Sequence, residues 1–178
     1  MISKKAKNRK KVISFLMRLV TLIKPGSLTL IQIKIIRKLV SIASHRRSSV
    51  KKNVIEKIKL DQFDLYRIIP NKISDEKKIL FFHGGGFFIG NFNIYRNYVS
   101  FLAEVISREI IFVDYELGPE SKYPNQLEQA KKAYFFIIEK CKGSHIILAG
   151  DSAGGNLALS LYLALEKEKC KKPLAIFC

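Results

Sequence analysis

Acidic side chains are nearly absent from the first third of this sequence: residues 1–60 hold 17 Lys and Arg against one acid, Glu56. Positions 61–178 are almost balanced, with 15 basic and 14 acidic residues, so the formal net charge of +17 belongs to an N-terminal appendage. Basic runs interleaved with aromatic side chains are also lacking, which argues against nucleic acid as the partner. The basic excess is therefore either a solvated face or a surface for anionic membrane through residues 1–50. Cysteine is scarce: Cys141, Cys170 and Cys178 have neither an even count nor metal-ligand spacing, which fits a reduced, cytoplasmic compartment. No apolar run reaches membrane-spanning length. Val12–Ile23 follows Lys4, Lys5, Lys7, Arg9, Lys10 and Lys11 as the core of a secretory signal would, but Arg18 interrupts it and no small-residue cleavage site precedes Lys24-Pro25-Gly26. An amphipathic helix lying on a membrane or on the domain is favoured over a signal or anchor.

What is present describes a folded chain. At 48% apolar and 11% aromatic residues, disorder is excluded, and 178 residues suffice for one domain with its own core. Leu28, Ile31, Ile35 and Leu39 recur at helical spacing, with Lys34, Arg37, Lys38 and Ser41 opposite, so Leu28 to Val40 is expected to be a helix whose apolar stripe packs. Residues 1–52 thus read as a basic helical cap ending in the exposed linker Arg46-Arg47-Ser48-Ser49, and residues 53–178 as the domain. From Val54 the pattern turns strand-like, at Phe63–Ile69 and Lys78–Phe82 around a turn-rich Pro70–Asp75. Helices are expected over Arg96–Ser107, Gln126–Glu139 and Ala153–Glu166, the first with Tyr98, Phe101, Leu102, Val105 and Ile106 inward. Strands are expected at Ile110–Val113, His145–Ala149 and Leu174–Phe177. Alternating strands and helices predict an α/β fold, a mostly parallel sheet with helices on both faces. No internal repeat is visible.

Two stretches carry chemistry. Gly150-Asp151-Ser152-Ala153-Gly154-Gly155-Asn156 lies between an apolar strand and a helix, with glycines two residues either side of a single serine. That spacing lets the backbone turn sharply and hold the hydroxyl above the sheet edge. His83-Gly84-Gly85-Gly86-Phe87 also follows a strand, and its bare backbone N–H groups can approach an oxyanion. Together the two motifs make the sequence resemble the hormone-sensitive-lipase-like esterases and deacetylases of the α/β-hydrolase superfamily over residues 60–178. Asp114-Tyr115-Glu116-Leu117-Gly118-Pro119-Glu120, with Tyr123-Pro124, resembles a third signature, although Glu116 and Gly118 stand where the family usually has arginine and alanine.

The resemblance implies that Ser152 is the nucleophile and that the N–H groups of Gly84, Gly85 and Ala153 form the oxyanion hole, each contributing about 3 kcal/mol to transition-state stabilisation. It makes His83 a support of the loop and Asp151 a neighbour of the nucleophile distinct from the triad acid. Gly86, Gly150, Gly154 and Gly155 complete the motifs. Phe87, Phe88 and Tyr123 hint at an apolar site for short or medium acyl groups. No metal or organic cofactor is needed for this chemistry, and the expected substrate is a small-molecule ester.

A base is missing. A serine hydroxyl needs a proton acceptor within hydrogen-bond reach, and no histidine follows Ser152. The only later acids, Glu166 and Glu168, end the helix that leaves the elbow. His145 enters the strand before Ser152 and lies on the order of 20 Å from it; His83 is tied to its loop, and His45 sits in the basic linker. The expectation is an N-terminal portion of a serine ester hydrolase ending on an unpaired strand. Its alternatives are an inactive relative that binds acyl or ester ligands, or a membrane-surface association module.

Overall fold

The computed structural model describes residues 29–44, 53–140 and 145–178. The expected Val12–Ile23 helix, the linker at 46–49, His45 and Cys141 lie outside them. The chain divides into two compact units, Met1–Ile36 and Arg37–Cys178. In the first, Thr29 and Gln32 form a reciprocal cap: the Gln32 N–H donates to Thr29 Oγ1 at 3.3 Å and the Thr29 N–H to Gln32 Oε1 at 2.9 Å. This capping box starts helix α1 (Leu30–Ser44) two residues after the expected position. Of the stripe expected to pack, Leu28 lies outside the described residues, and Ile31, Ile35 and Leu39 are all more than half exposed. No helix among the described residues is long and apolar enough to cross a membrane.

The second unit is built on a six-stranded sheet of order β1-β2-β4-β3-β5-β6. Its strands are β1 (Val54–Leu60), β2 (Phe63–Ile69), β3 (Lys78–Phe82), β4 (Ile110–Asp114), β5 (Ile146–Gly150) and β6 (Ala175–Phe177). Strand β1, which is not among the expected strands, pairs antiparallel with β2 across a two-residue turn in which Asp61 adopts φ 44°. Strand β2 also runs antiparallel to β4, and the rest of the sheet is parallel, joined through α2 (Phe92–Ile106), α3 (Asn125–Lys140) and α4 (Ala153–Lys167).

Residue parity along the central strands divides the core. Leu80, Phe82, Ile111, Val113 and Leu148 meet α3 and α4 through Ala130, Ala133, Tyr134, Ile137, Leu157, Ala158, Leu161 and Leu165. Ile79, Phe81, Ile110, Phe112 and Ile147 meet α2 on the other face. Strands buried on both faces read as unbroken apolar runs for this reason. Helix α2 differs from expectation in start and rotation. Asn91 caps it by accepting the Ile94 N–H at 3.0 Å, so it begins at Phe92. Its buried residues are Phe92, Val99, Ser100 and Ala103, while Tyr98, Phe101 and Val105 face solvent. The polar residues Asn93, Asn97, Ser100 and Glu104 form one stripe, yet Ser100 is buried, so the polar stripe does not mark the solvent side.

At the N-terminal end of the parallel strands Glu109, 3% exposed, is bridged by Arg67 and Lys78. Burial opposes its ionisation, but hydrogen bonds from those two cations outweigh burial and hold its pKa below the usual glutamate value. Replacing Glu109 by Ala leaves two cations facing each other. This should lower the unfolding free energy by about 3 kcal/mol, the low end for a broken buried pair because Arg67 keeps water access, as read from urea denaturation.

Candidate active site

The site forms where three neighbouring strands stop. Strands β4, β3 and β5 are adjacent and parallel, and the pairing of β3 with β5 ends at Phe82 opposite Gly150. The glycine loop, the serine elbow and the Asp114–Glu120 segment, far apart in sequence, therefore leave the sheet side by side at its C-terminal edge, where crevices of open α/β sheets lie.

Ser152 sits between β5 and α4 with φ 52° and ψ −117°, a conformation rarely adopted by residues with a side chain. Two close backbone approaches impose the flanking glycines. A Cβ on Gly150 would come 2.4 Å from the Gly154 carbonyl carbon, and one on Gly154 would come 2.0 Å from the Phe82 carbonyl oxygen. The elbow is thus pressed against the end of β3, with Ser152 exposed at the N-terminus of α4 and making no side-chain cap bond. The positive end of the helix dipole favours negative charge there, and among the described residues the Ala153 N–H carries no hydrogen bond.

The glycine loop is anchored by His83, which is fully buried. Its ring stacks on Tyr115 at 4.2 Å between centroids, Nδ1 lies 2.8 Å from the Gly84 carbonyl oxygen, and the Tyr115 hydroxyl donates to the His83 carbonyl at 2.6 Å. Burial pulls its pKa down to about 4, so the ring is neutral near pH 7 and serves as scaffold. Beyond it, Gly85 (φ 113°) accepts the N–H groups of Phe88 and Ile89 on its carbonyl, closing a tight turn. Gly85 and Gly86 are exposed, and among the described residues their N–H groups carry no hydrogen bond.

Gly84 departs from the expected oxyanion role. Its N–H is engaged by Asp151 Oδ1 at 2.9 Å and by the Tyr95 hydroxyl oxygen at 3.1 Å, so it is not available to an oxyanion. Among the described residues the N–H groups of Gly85, Gly86 and Ala153 carry no hydrogen bond; Gly85 and Gly86 are exposed and Ala153 is half-buried. Tyr95, on α2, escapes sequence reasoning because nothing in its spacing connects it with Asp151.

Glu116 and Glu120 settle differently from one another. The Glu116 carboxylate accepts the side-chain amides of Asn125 and Gln129, so no cation is needed where the family usually has arginine. Glu120 receives a bidentate pair from Arg37, whose Nε also donates to the Phe88 carbonyl at 2.7 Å and whose Nη2 reaches the Gly118 carbonyl. The Gly118 N–H in turn donates to the Phe87 carbonyl at 2.8 Å, joining this segment to the glycine loop. Phe87 packs against the core beside Tyr115, leaving Phe88 and Tyr123 as the exposed aromatics of the three expected at an apolar site. His145 lies just ahead of β5, at the end of that strand opposite Ser152.

Residues 79–178 match the profile of a family described as having the alpha/beta hydrolase fold. An esterase from Acinetobacter venetianus is 37% identical over 101 residues, 56% of this chain and 33% of that protein. Human hormone-sensitive lipase is 40% identical over 90 residues, 48% of this chain and 8% of that protein. Among solved structures, an esterase of the bacterial hormone-sensitive lipase family superposes with a TM-score of 0.75 at 25% identity, over 85% of this chain and 51% of that one. The chain thus spans about a third of the bacterial esterase and about half of the solved one.

Two groups at this edge, the buried His83 and the half-buried Asp114, titrate in opposite senses. His83, with a folded pKa of about 4, stays neutral while the unfolded chain takes up a proton below about pH 6.5, so its contribution to stability is lost as pH falls through that window. Burial pushes the Asp114 carboxyl up to about 6 despite its bond from the Phe92 N–H, so Asp114 adds stability as pH falls from about 6 towards 4. Asp114→Asn retains an oxygen for Phe92 and should unmask the histidine, its urea midpoint falling more steeply on acidification than that of wild type. His83→Asn should fall less steeply than wild type. Parallel midpoints in all three proteins would contradict both assignments.

Proposed function

This chain belongs to the α/β-hydrolase fold family, in its hormone-sensitive-lipase-like branch, and from that premise we propose that it carries the nucleophile and oxyanion hole of a carboxylic-ester hydrolase. The observation that carries the reading is the exposed Ser152 in its strained elbow, beside a loop whose Gly85 and Gly86 N–H groups are unengaged among the described residues.

In the proposed reaction Ser152 Oγ attacks the carbonyl carbon of a small-molecule ester. The carbonyl oxygen becomes the oxyanion, received by the N–H groups of Gly85, Gly86 and Ala153. Each donor is worth a factor of about 10²–10³ in rate. Collapse expels the alcohol and leaves an acyl-serine, which water then hydrolyses. The Ser152 proton needs an acceptor, and the described histidines do not supply it: His83 is buried and His145 lies at the far end of β5. The reaction therefore uses a base outside the described residues. That same feature favours a second reading, an ester-binding relative without turnover.

A fluorophosphonate separates these readings, because its P–F bond breaks as the Ser152 Oγ–P bond forms and the adduct is stable. Peptide mass spectrometry should find one adduct, on Ser152, absent from Ser152→Ala. No adduct, or one at another residue, sinks the nucleophile assignment. Hydrolysis of a short p-nitrophenyl ester that disappears in Ser152→Ala establishes turnover, and labelling without hydrolysis supports the binding relative.

A further inference from the structure

We propose that Tyr95 and Asp151 are positioning residues that lock the glycine loop to the serine elbow. The inference rests on the reading of Ser152 and that loop as one site, and names what aligns its two halves. Backbone pairing between β3 and β5 stops at Phe82 and Gly150. Past that point the loop runs through three glycines, which resist bending least of all residues, so the sheet alone does not hold Gly85 and Gly86 in register with Ser152.

The hydrogen bonds around Asp151 do. Its carboxylate bridges the gap one residue beyond β5, with Oδ1 accepting the Gly84 N–H at 2.9 Å and Oδ2 accepting the Tyr95 hydroxyl at 2.8 Å. The Tyr95 oxygen lies 3.1 Å from the Gly84 nitrogen, so the three groups close a ring. Tyr95 is itself fixed. Its ring lies against Phe81, His83 and Phe112, and the first turn of α2 is held to β4 by the Asp114–Phe92 bond. The fit excludes a side chain on the loop, since a Cβ on Gly84 would stand 2.3 Å from Asp151 Oδ2. The carboxylate holds the Gly84 N–H inward, while Gly85 and Gly86, the next two residues, stand exposed with their N–H groups unengaged among the described residues. A misplacement of about 1 Å at a reacting centre costs up to 10²-fold in rate, which sets the scale of the expected effect.

Tyr95→Phe removes only the hydroxyl and keeps the ring packing; Asp151→Ala removes both acceptors. Phosphonylation of Ser152 by a fluorophosphonate should slow about 10- to 100-fold in each variant, through the inactivation rate constant and with the saturating concentration unchanged. The Gly84 amide, protected from hydrogen exchange in wild type relative to Gly86, should lose protection in both. Asp151→Asn, which retains an oxygen for Gly84, should recover part of both effects. Unchanged phosphonylation in variants that melt like wild type would overturn the proposal, as would a Gly84 amide that exchanges as fast as Gly86 in wild type. Where Asp151→Ala fails to fold, Tyr95→Phe decides. Where wild-type Ser152 does not react at all, the nucleophile reading fails, and Gly84 exchange alone decides whether the lock exists.

Discussion

The parallel pairing of β3 with β5 is the constraint on which the site depends. Because Phe82 faces Gly150 at the last rung, the glycine loop and the serine elbow leave the sheet as neighbours. Gly154 is drawn against the Phe82 carbonyl so closely that a methyl group would not fit. Helix α4 can then start directly at the elbow, with Ser152 at the positive end of its dipole. A one-residue slip of either strand would turn its side chains to the opposite face and separate the two loops.

The burial pattern gives the sheet two different ends. At the N-terminal edge Glu109 is buried with two cations and remains ionised, which ties β2, β3 and β4 together. At the C-terminal edge His83 is buried and neutral, and among the described residues the Asp114 carboxylate accepts one hydrogen bond, from the Phe92 N–H. The first arrangement fixes strands; the second lets a loop be shaped by stacking and hydrogen bonds without placing net charge on the His83 ring near pH 7. The Asp151 carboxylate beside Ser152 is hydrogen-bonded by two neutral donors, the Gly84 N–H and the Tyr95 hydroxyl.

Glu116 and Glu120 illustrate how a departure from a family pattern is absorbed. With no arginine at position 116, the carboxylate found there is satisfied by the amides of Asn125 and Gln129. Glu120 obtains its guanidinium from Arg37, on a helix more than 80 residues earlier in the chain. Arg37 also holds the Phe88 and Gly118 carbonyls, so the segment and the glycine loop are cross-linked from the side where pairing in the sheet has ended.

The sequence by itself determined the α/β class, most of the element order and the two chemical motifs, because each rests on local information: apolar runs of strand length, helical spacing, and glycines at fixed offsets from one serine. It also determined that no histidine follows Ser152. Tertiary structure decided what depends on partners distant in the chain. Strand β1 is fixed by its pairing with β2, and the rotation of α2 follows from which of its sides meets the sheet. The Gly84 N–H is turned to Asp151 because that carboxylate, 67 residues later, is brought within 2.9 Å of it. Motif spacing places a residue along the chain. Only packing decides which way its N–H points.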